Sequence, residues 1–262
     1  MPDATADRRT DPRQPNIARV YDHILGGSLH NAHDRTFAAD LAAAFPALTG
    51  IIRAQRCFQR RAVEWMLGNG VDQFIDLGSG LPTADHVHHV AGDARVVYVD
   101  MDSETVEDAG MILHSVPDAA AIRADIQQPG EILAHTETRR LIDTGRPVGI
   151  LAIGILDFLP PPRTAIAPLT GLRNAFERDV YVAATLLTDQ PPLDPDQLGL
   201  AAALLLRAIA TPITARPPGT LRAWLGESGF QEAEYGSIPE RQEEPLPAAE
   251  TFIGRGGAIP PG

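Results

Sequence analysis

Apolar positions along the chain switch between two periods. From Asp72 onward, short apolar runs alternate with helical stretches in the α/β manner. The runs predict strands at 73–77, 95–100, 120–124, 147–153 and 179–186, with helices near 82–91, 103–114, 129–142 and 163–177. Further on, helices are expected at about 196–209 and 219–228, followed by a last strand around 230–238. Upstream, Phe37, Leu41, Ala44 and Phe45 keep helical spacing as far as Pro46. A second helix from about Ile51 to Leu67 carries Phe58, Ala62, Trp65 and Met66 as its apolar stripe, and Gly68-Asn69-Gly70 ends it. Two helices ahead of the first strand read as a cap over one edge of a sheet. The expected organisation is a flexible arm (1–16), a helical cap or lid (17–70), an α/β domain (71–240) and a loose Pro-, Glu- and Gly-rich tail (241–262).

Composition narrows the function classes. A chain of 262 residues with 44% hydrophobic and 21% charged residues is long enough to bury one substantial core. Its net charge of −12, with no basic stretch, argues against nucleic acid, whose binding rests on phosphate neutralisation. All 22 basic residues are Arg, so Schiff-base chemistry and a Walker Lys are excluded. Cys57, the single cysteine, rules out an internal disulfide and a multi-Cys zinc site, and suits a reducing cytoplasm. Residues 1–14 contain no apolar signal core, and the longest apolar run, Leu198 to Leu206, is far short of the ~20 residues that span a bilayer. A cytoplasmic protein without membrane segments is expected.

The candidate chemistry starts at Phe74-Ile75-Asp76-Leu77-Gly78-Ser79-Gly80-Leu81-Pro82-Thr83, followed by Val96-Val97-Tyr98-Val99-Asp100. A buried strand running into Gly-x-Gly lets a ligand lie against bare backbone, and a carboxylate at the tip of the next strand suits two ribose hydroxyls. A dinucleotide fingerprint would want a third glycine, where Thr83 stands. Asp76 beside a pyrophosphate would be repelled by about 1 kcal/mol per charge pair at 4 Å even in bulk water. The same carboxylate suits the ammonium and sulfonium of S-adenosylmethionine. Asp-x-Gly-x-Gly with a distant Asp resembles the cofactor motif of class I S-adenosylmethionine-dependent methyltransferases. An NAD-dependent oxidoreductase is the reading that Asp76 and the missing glycine disfavour.

The N-terminal segment is more specific. Arg19-Val20-Tyr21-Asp22-His23-Ile24-Leu25-Gly26-Gly27, then Asn31 and Asp34-Arg35, resembles the opening of a bacterial family of S-adenosylmethionine-dependent methyltransferases, most without an assigned substrate. The likeness continues through Gln55-Arg56, where the family usually has Asn-Arg, through the glycine turn and His88, and through Asp100-Met101-Asp102 and Asp125-Ile126. It implies a Rossmann-like α/β fold with a mostly parallel sheet and an N-terminal helical cap, S-adenosylmethionine as cofactor and S-adenosylhomocysteine as product. By the same likeness, Asp76, Gly78 and Gly80 would hold the amino-acid moiety, and Asp100, next to Met101, the ribose. Asp125 would take the adenine amino group with Ile126 against the ring. Gly26, Gly27, Tyr21, Asn31 and Asp34 would belong to a lid over the cofactor, mobile when empty.

Two departures fall on the acceptor side. Asp157 stands where the family usually has His, and the usual closing Pro-x-Trp segment is replaced by Ile238-Pro239-Glu240-Arg241. An Asp near its ordinary pKa is a weaker base than His by about 3.5 kcal/mol unless burial raises it.

Asp157, His30 and Tyr21 are the catalytic candidates. His30 can equally be solvated or packed, and Tyr21 can simply pack in the cap. Asp102 is either the ribose acid or the cap of a helix from Ser103. His86, His88 and His89 read as an exposed helix surface rather than a metal site. The expected activity is methyl transfer to a small-molecule acceptor, with a non-catalytic cofactor sensor as the alternative; oligomeric state stays open.

Overall fold

The computed structural model describes residues 14–83, 85–159, 162–189, 193–210, 213–233 and 249–257. Three helices come first: α1 (Ile17–Ile24), α2 (Ala32–Ala44) and α3 (Leu48–Gly68). The alternating part follows as β1 (Gln73–Leu77), α4 (Val87–Ala91), β2 (Arg95–Asp100), α5 (Ser103–Ile112), β3 (Ala119–Arg123), α6 (Pro129–Ala134), α7 (Thr136–Leu141), β4 (Val148–Ala152), α8 (Pro162–Asn174) and β5 (Val180–Leu187). It ends with α9 (Pro195–Ile209), α10 (Thr220–Glu227), β6 (Gln231–Glu232) and β7 (Ala249–Gly256).

The seven strands form one sheet in the order β3-β2-β1-β4-β5-β7-β6, in which β1 to β5 are parallel and β7 pairs antiparallel with both β5 and β6. The order reverses between β1 and β4. A crevice at the carboxyl ends of strands at such a switch point is where open α/β sheets bind ligands. Strands β1, β4 and β5 are buried along their whole length, as strands covered on both faces must be.

One face packs Ile75, Val97, Ile122, Ile150 and Val182 against α6 to α8 and α10; the other packs Phe74, Tyr98, Leu151 and Tyr181 against α3 and α4. A third cluster joins the cap to the end of β5 and to α9, through Val20, Leu41, Phe45, Ile51, Leu187 and Leu205.

The elements differ from expectation in four places. The helix expected over 82–91 is reduced to the five residues of α4, and that over 129–142 breaks into α6 and α7 at His135, whose ψ of 141° is extended. The cap has three helices, because Asn16 caps a further one by accepting from the N–H groups of Ala18 and Arg19. Most consequentially, 249–256 is a strand where a loose tail is expected. Its eight residues pair with β5 along their full length, and Phe252 and Ile253 are buried on opposite faces. Such pairing is non-local, so the Gly- and Glu-rich composition around it carries no sign of it. Residues 1–13 of the expected arm, 234–238 of the expected last strand, and 241–248 and 258–262 of the tail lie outside the described residues.

Candidate active site

The loop after β1 is a turn without side chains on its inner side. Gly78 and Gly80 have φ of +63° and +62°, which favours glycine, and a Cβ on Gly78 would run into the side chain of Ile155. The turn is tied to β2: Ser79 donates its N–H to the Val99 carbonyl at 3.1 Å, and Gly80 donates to the Asp100 carboxylate at 3.0 Å. Asp100 also accepts the N–H of Asp102 at 3.0 Å. Burial pushes the Asp100 carboxyl up, opposed by those two N–H groups. Each of its oxygens accepts one backbone N–H and keeps a lone pair for a ligand hydroxyl.

Asp102 is committed elsewhere. It caps α5 by accepting from the N–H and hydroxyl of Thr105 at 2.8 and 2.6 Å, and it accepts Asn16 Nδ2 at 2.9 Å.

Asp76 lies inside, only 2% exposed, and accepts Gln59 Nε2 at 3.0 Å. The same amide accepts from Arg56 Nη1 at 2.8 Å. Burial pushes the Asp76 carboxyl up to about 7, opposed by Arg56 and Gln59. His86 Nδ1 stands 3.8 Å from Asp76. Here the expected exposed histidine surface fails. His86 precedes α4 and is 1% exposed, neither ring nitrogen makes a hydrogen bond of normal geometry, and burial pulls its pKa well down. His88 Nδ1 lies 2.7 Å from the Tyr98 hydroxyl, and burial lowers it to about 4; His89 is exposed. The short α4 is the reason, since His86, like Pro82, is buried before the helix begins. Among the described residues no three His, Cys, Asp or Glu side chains gather as metal ligands.

Gln59 and Arg56 are residues that sequence reading left out of the site. Their i, i+3 spacing on α3 was visible, but only the docking of α3 against β1 brings them to Asp76.

At the nucleoside end, Met101 is 68% exposed directly after β2. Asp125 makes a turn of its own by accepting the Gln127 N–H at 2.9 Å. Ile126 is buried in the core beside Ile132.

Beyond β4, Asp157 is buried in a short 3₁₀ turn and accepts the Leu187 N–H at 2.6 Å. Burial pushes it up to about 7, opposed by the Leu187 N–H and by Arg216. Burial, and then the Asp157 charge, raise the Tyr21 phenol above its ordinary range. His30 stays within the cap, edge-on to His23 at 4.5 Å and 3.3 Å from Arg35 Nη1.

The expected lid residues are built into the cap. Asn31 caps α2, accepting from the N–H groups of His33 and Asp34, and the Asp34 carboxylate reaches back to the Asn31 N–H at 2.8 Å. Asp34 is 0% exposed and pairs with Arg19 Nε at 2.8 Å, while Arg19 Nη1 reaches Glu104 on α5. Within 21–35, Asp22 and Asp34 are therefore buried polar residues. Gly26 and Gly27 close α1: Gly26 donates to the His23 carbonyl and Gly27 to that of Asp22, a Schellman ending. Gly26 has φ of +87°, whereas Gly27 is required because any Cβ would strike the Asp22 carboxylate.

A profile described as S-adenosyl methyltransferase matches residues 3–226. The chain belongs to this family. It is 32% identical to a candidate methyltransferase from Thermobifida fusca, with 98% of this chain and 100% of that one covered at a TM-score of 0.81. A DUF574-family protein from Streptomyces avermitilis is 25% identical over 94% of this chain and 99% of its own, at a TM-score of 0.80. Magnesium protoporphyrin IX methyltransferase from Synechocystis, solved with S-adenosylmethionine, shares the fold at 14% identity and a TM-score of 0.51, covering 95% and 98% of the two chains. No curated protein matches the sequence. The Rossmann-like methyltransferase fold, with S-adenosylmethionine as the family's cofactor, is thereby established for this S-adenosyl methyltransferase.

Proposed function

We propose that the protein transfers the methyl group of S-adenosylmethionine to a small-molecule acceptor bound between the cap and the ends of β4 and β5. The residues around the β1 turn suit this cofactor: a side-chain-free turn at Gly78 and Gly80, a buried acid at Asp76 for an ammonium, and Asp100 for the ribose hydroxyls. Met101 and Asp125 would flank the adenine. When bound, the cofactor supplies an electrophilic methyl carbon.

The observation that carries the acceptor reading is the Tyr21–Asp157 pair. Tyr21 packs on the cap cluster with Phe37, Phe158, Leu198 and Ile213 from four separate segments, and the buried Asp157 immediately precedes Phe158. Apolar walls with one polar pair suit a small, largely apolar acceptor bearing a hydroxyl or amine. Tyr21 keeps its proton at neutral pH and orients the acceptor, and Asp157, raised to about 7, takes up the acceptor's proton. Holding the reacting atoms in a dry, fixed geometry supplies the rest. The acidic chain, at −12, disfavours a nucleic-acid acceptor.

Labelled S-adenosylmethionine and the purified chain, incubated with the ultrafiltrate and with the retained macromolecules of a cell extract, test this reading. Label transferred to the ultrafiltrate supports a small acceptor. Label confined to protein or nucleic acid overturns it, and cofactor binding without transfer to either fraction points to a sensor.

A further inference from the structure

Arg56 and Gln59 stand one turn apart on α3, and the Gln59 amide is bonded on both sides. Its oxygen accepts Arg56 Nη1 at 2.8 Å, and its nitrogen donates to Asp76 at 3.0 Å. A guanidinium and a carboxylate are thus held at opposite ends of one amide. Among the described residues no carboxylate lies within ion-pairing distance of Arg56, and the Gln59 amide oxygen is its hydrogen-bond acceptor. Arg56 is nevertheless drawn back from water. Burial lowers its pKa, and the charge of Asp76 is the first of the influences that oppose this.

A partly desolvated guanidinium with no paired carboxylate is costly until an anion completes it, and its planar fork matches a carboxylate on two bonds. Asp76 poses the reverse problem, a buried carboxyl with one amide donor and an unprotonated imidazole 3.8 Å away. Anion site and cation site on either side of a single amide are the complement of an α-amino acid zwitterion.

We propose that Arg56 binds the α-carboxylate of the cofactor's amino-acid end while Asp76 takes its ammonium, with Gln59 fixing the spacing between them. The inference rests on the cofactor reading above and adds a specificity determinant to it. The site selects an intact amino-acid end, and nucleosides that lack the carboxylate are discriminated against. Asp76 alone would favour any cationic tail, including that of a decarboxylated cofactor; Arg56 reverses this preference.

Calorimetric titration of the full chain with S-adenosylhomocysteine and with its decarboxylated analogue tests the proposal. The unmodified protein is expected to favour S-adenosylhomocysteine by about tenfold to a hundredfold, the worth of a charge-assisted bond or two. Arg56→Gln is expected to weaken S-adenosylhomocysteine by a similar factor while leaving the analogue within about twofold. Arg56→Lys, which keeps the charge but not the fork, is expected to fall between. Equal affinity of the unmodified protein for both ligands overturns the Arg56 assignment without touching the cofactor reading, and needs no variant to fold. Equal losses for both ligands in Arg56→Gln overturn it as well, because a packing role does not distinguish them. An unmodified chain that binds neither ligand overturns the cofactor reading and this inference with it.

Discussion

The N–H of Gly80 donates to the Asp100 carboxylate at 3.0 Å, across twenty residues of sequence. The acid at the tip of β2, proposed above for the ribose, therefore also shapes the glycine turn. On that proposal, binding and loop geometry are coupled through one side chain.

Asp100→Ala is expected to weaken S-adenosylhomocysteine by ~1.5–3 kcal/mol, because charge-assisted bonds to the ribose are lost and the turn loosens. Asp102→Ala should instead cost stability, about 1 kcal/mol for a lost helix cap, and leave affinity nearly unchanged. Calorimetry together with urea unfolding separates the two. The reverse pattern would reassign the ribose acid to Asp102.

Asp76 and Asp157 both hold their protons to about pH 7 in the folded protein, because burial disfavours the charged forms. The unfolded chain releases those protons near pH 4. Stability from these groups is thus fully present below pH ~4 and is lost as the pH rises through about 7. In the cofactor-free protein, Asp157→Asn is expected to flatten this decline in melts taken across the interval. An ammonium placed against Asp76 favours its carboxylate, so binding S-adenosylhomocysteine at pH 7 should release up to about half a proton. Titrations in buffers of different ionisation enthalpy measure it, and proton uptake would count against an ammonium at Asp76.

Asp34 joins Arg19, Asn16 and Asn31 in a buried network between α1, α2 and α5. Asp34→Ala removes the fully buried one of Arg19's two carboxylate partners, leaving Glu104, and also the acceptor for the Asn16 and Asn31 N–H groups; it is expected to cost ~3 kcal/mol in denaturant unfolding. Amide exchange across α1 and the start of α2 should be slow without cofactor in the unmodified protein and fast in the variant. Fast exchange in the empty, unmodified protein would restore a mobile lid.

Gly27→Ala places a methyl group on the Asp22 carboxylate, which accepts the Leu29 N–H at 2.7 Å. Displacing it should cost ~1–3 kcal/mol, through overpacking and a lost bond. Gly26→Ala has open space around it and carries only the strain of a positive φ, ~1–2 kcal/mol. Thermal melts of the two variants compare them. If both retain the melting temperature of the parent, the tight Schellman ending is not needed for stability.

Much of the fold was legible because its signals are local. Strands β1 to β5 are continuous apolar runs bounded by polar turns, and the Asp-x-Gly-x-Gly turn needs only its own backbone torsions to be recognised. Where a residue's role depended on a distant partner, the reading failed or stopped short. His86 looked like an exposed helical residue until α4 proved to begin after it. For Asn31 and Asp34 the capping box is local, but the Arg19 pair that buries Asp34 forms only when α1 and α2 meet.

By itself, then, the sequence determined the alternating architecture, the glycine turn and the acid one strand away, all set by side-chain period and backbone torsion within a few residues. Tertiary structure alone decided the rest. The docking of α3 on β1 carries Arg56 and Gln59 to Asp76, and the closure of β5 on β7 turns an apparent tail into a buried strand. These arrangements depend on which buried surfaces and unpaired backbone groups find each other across the chain, and sequence spacing does not record that choice.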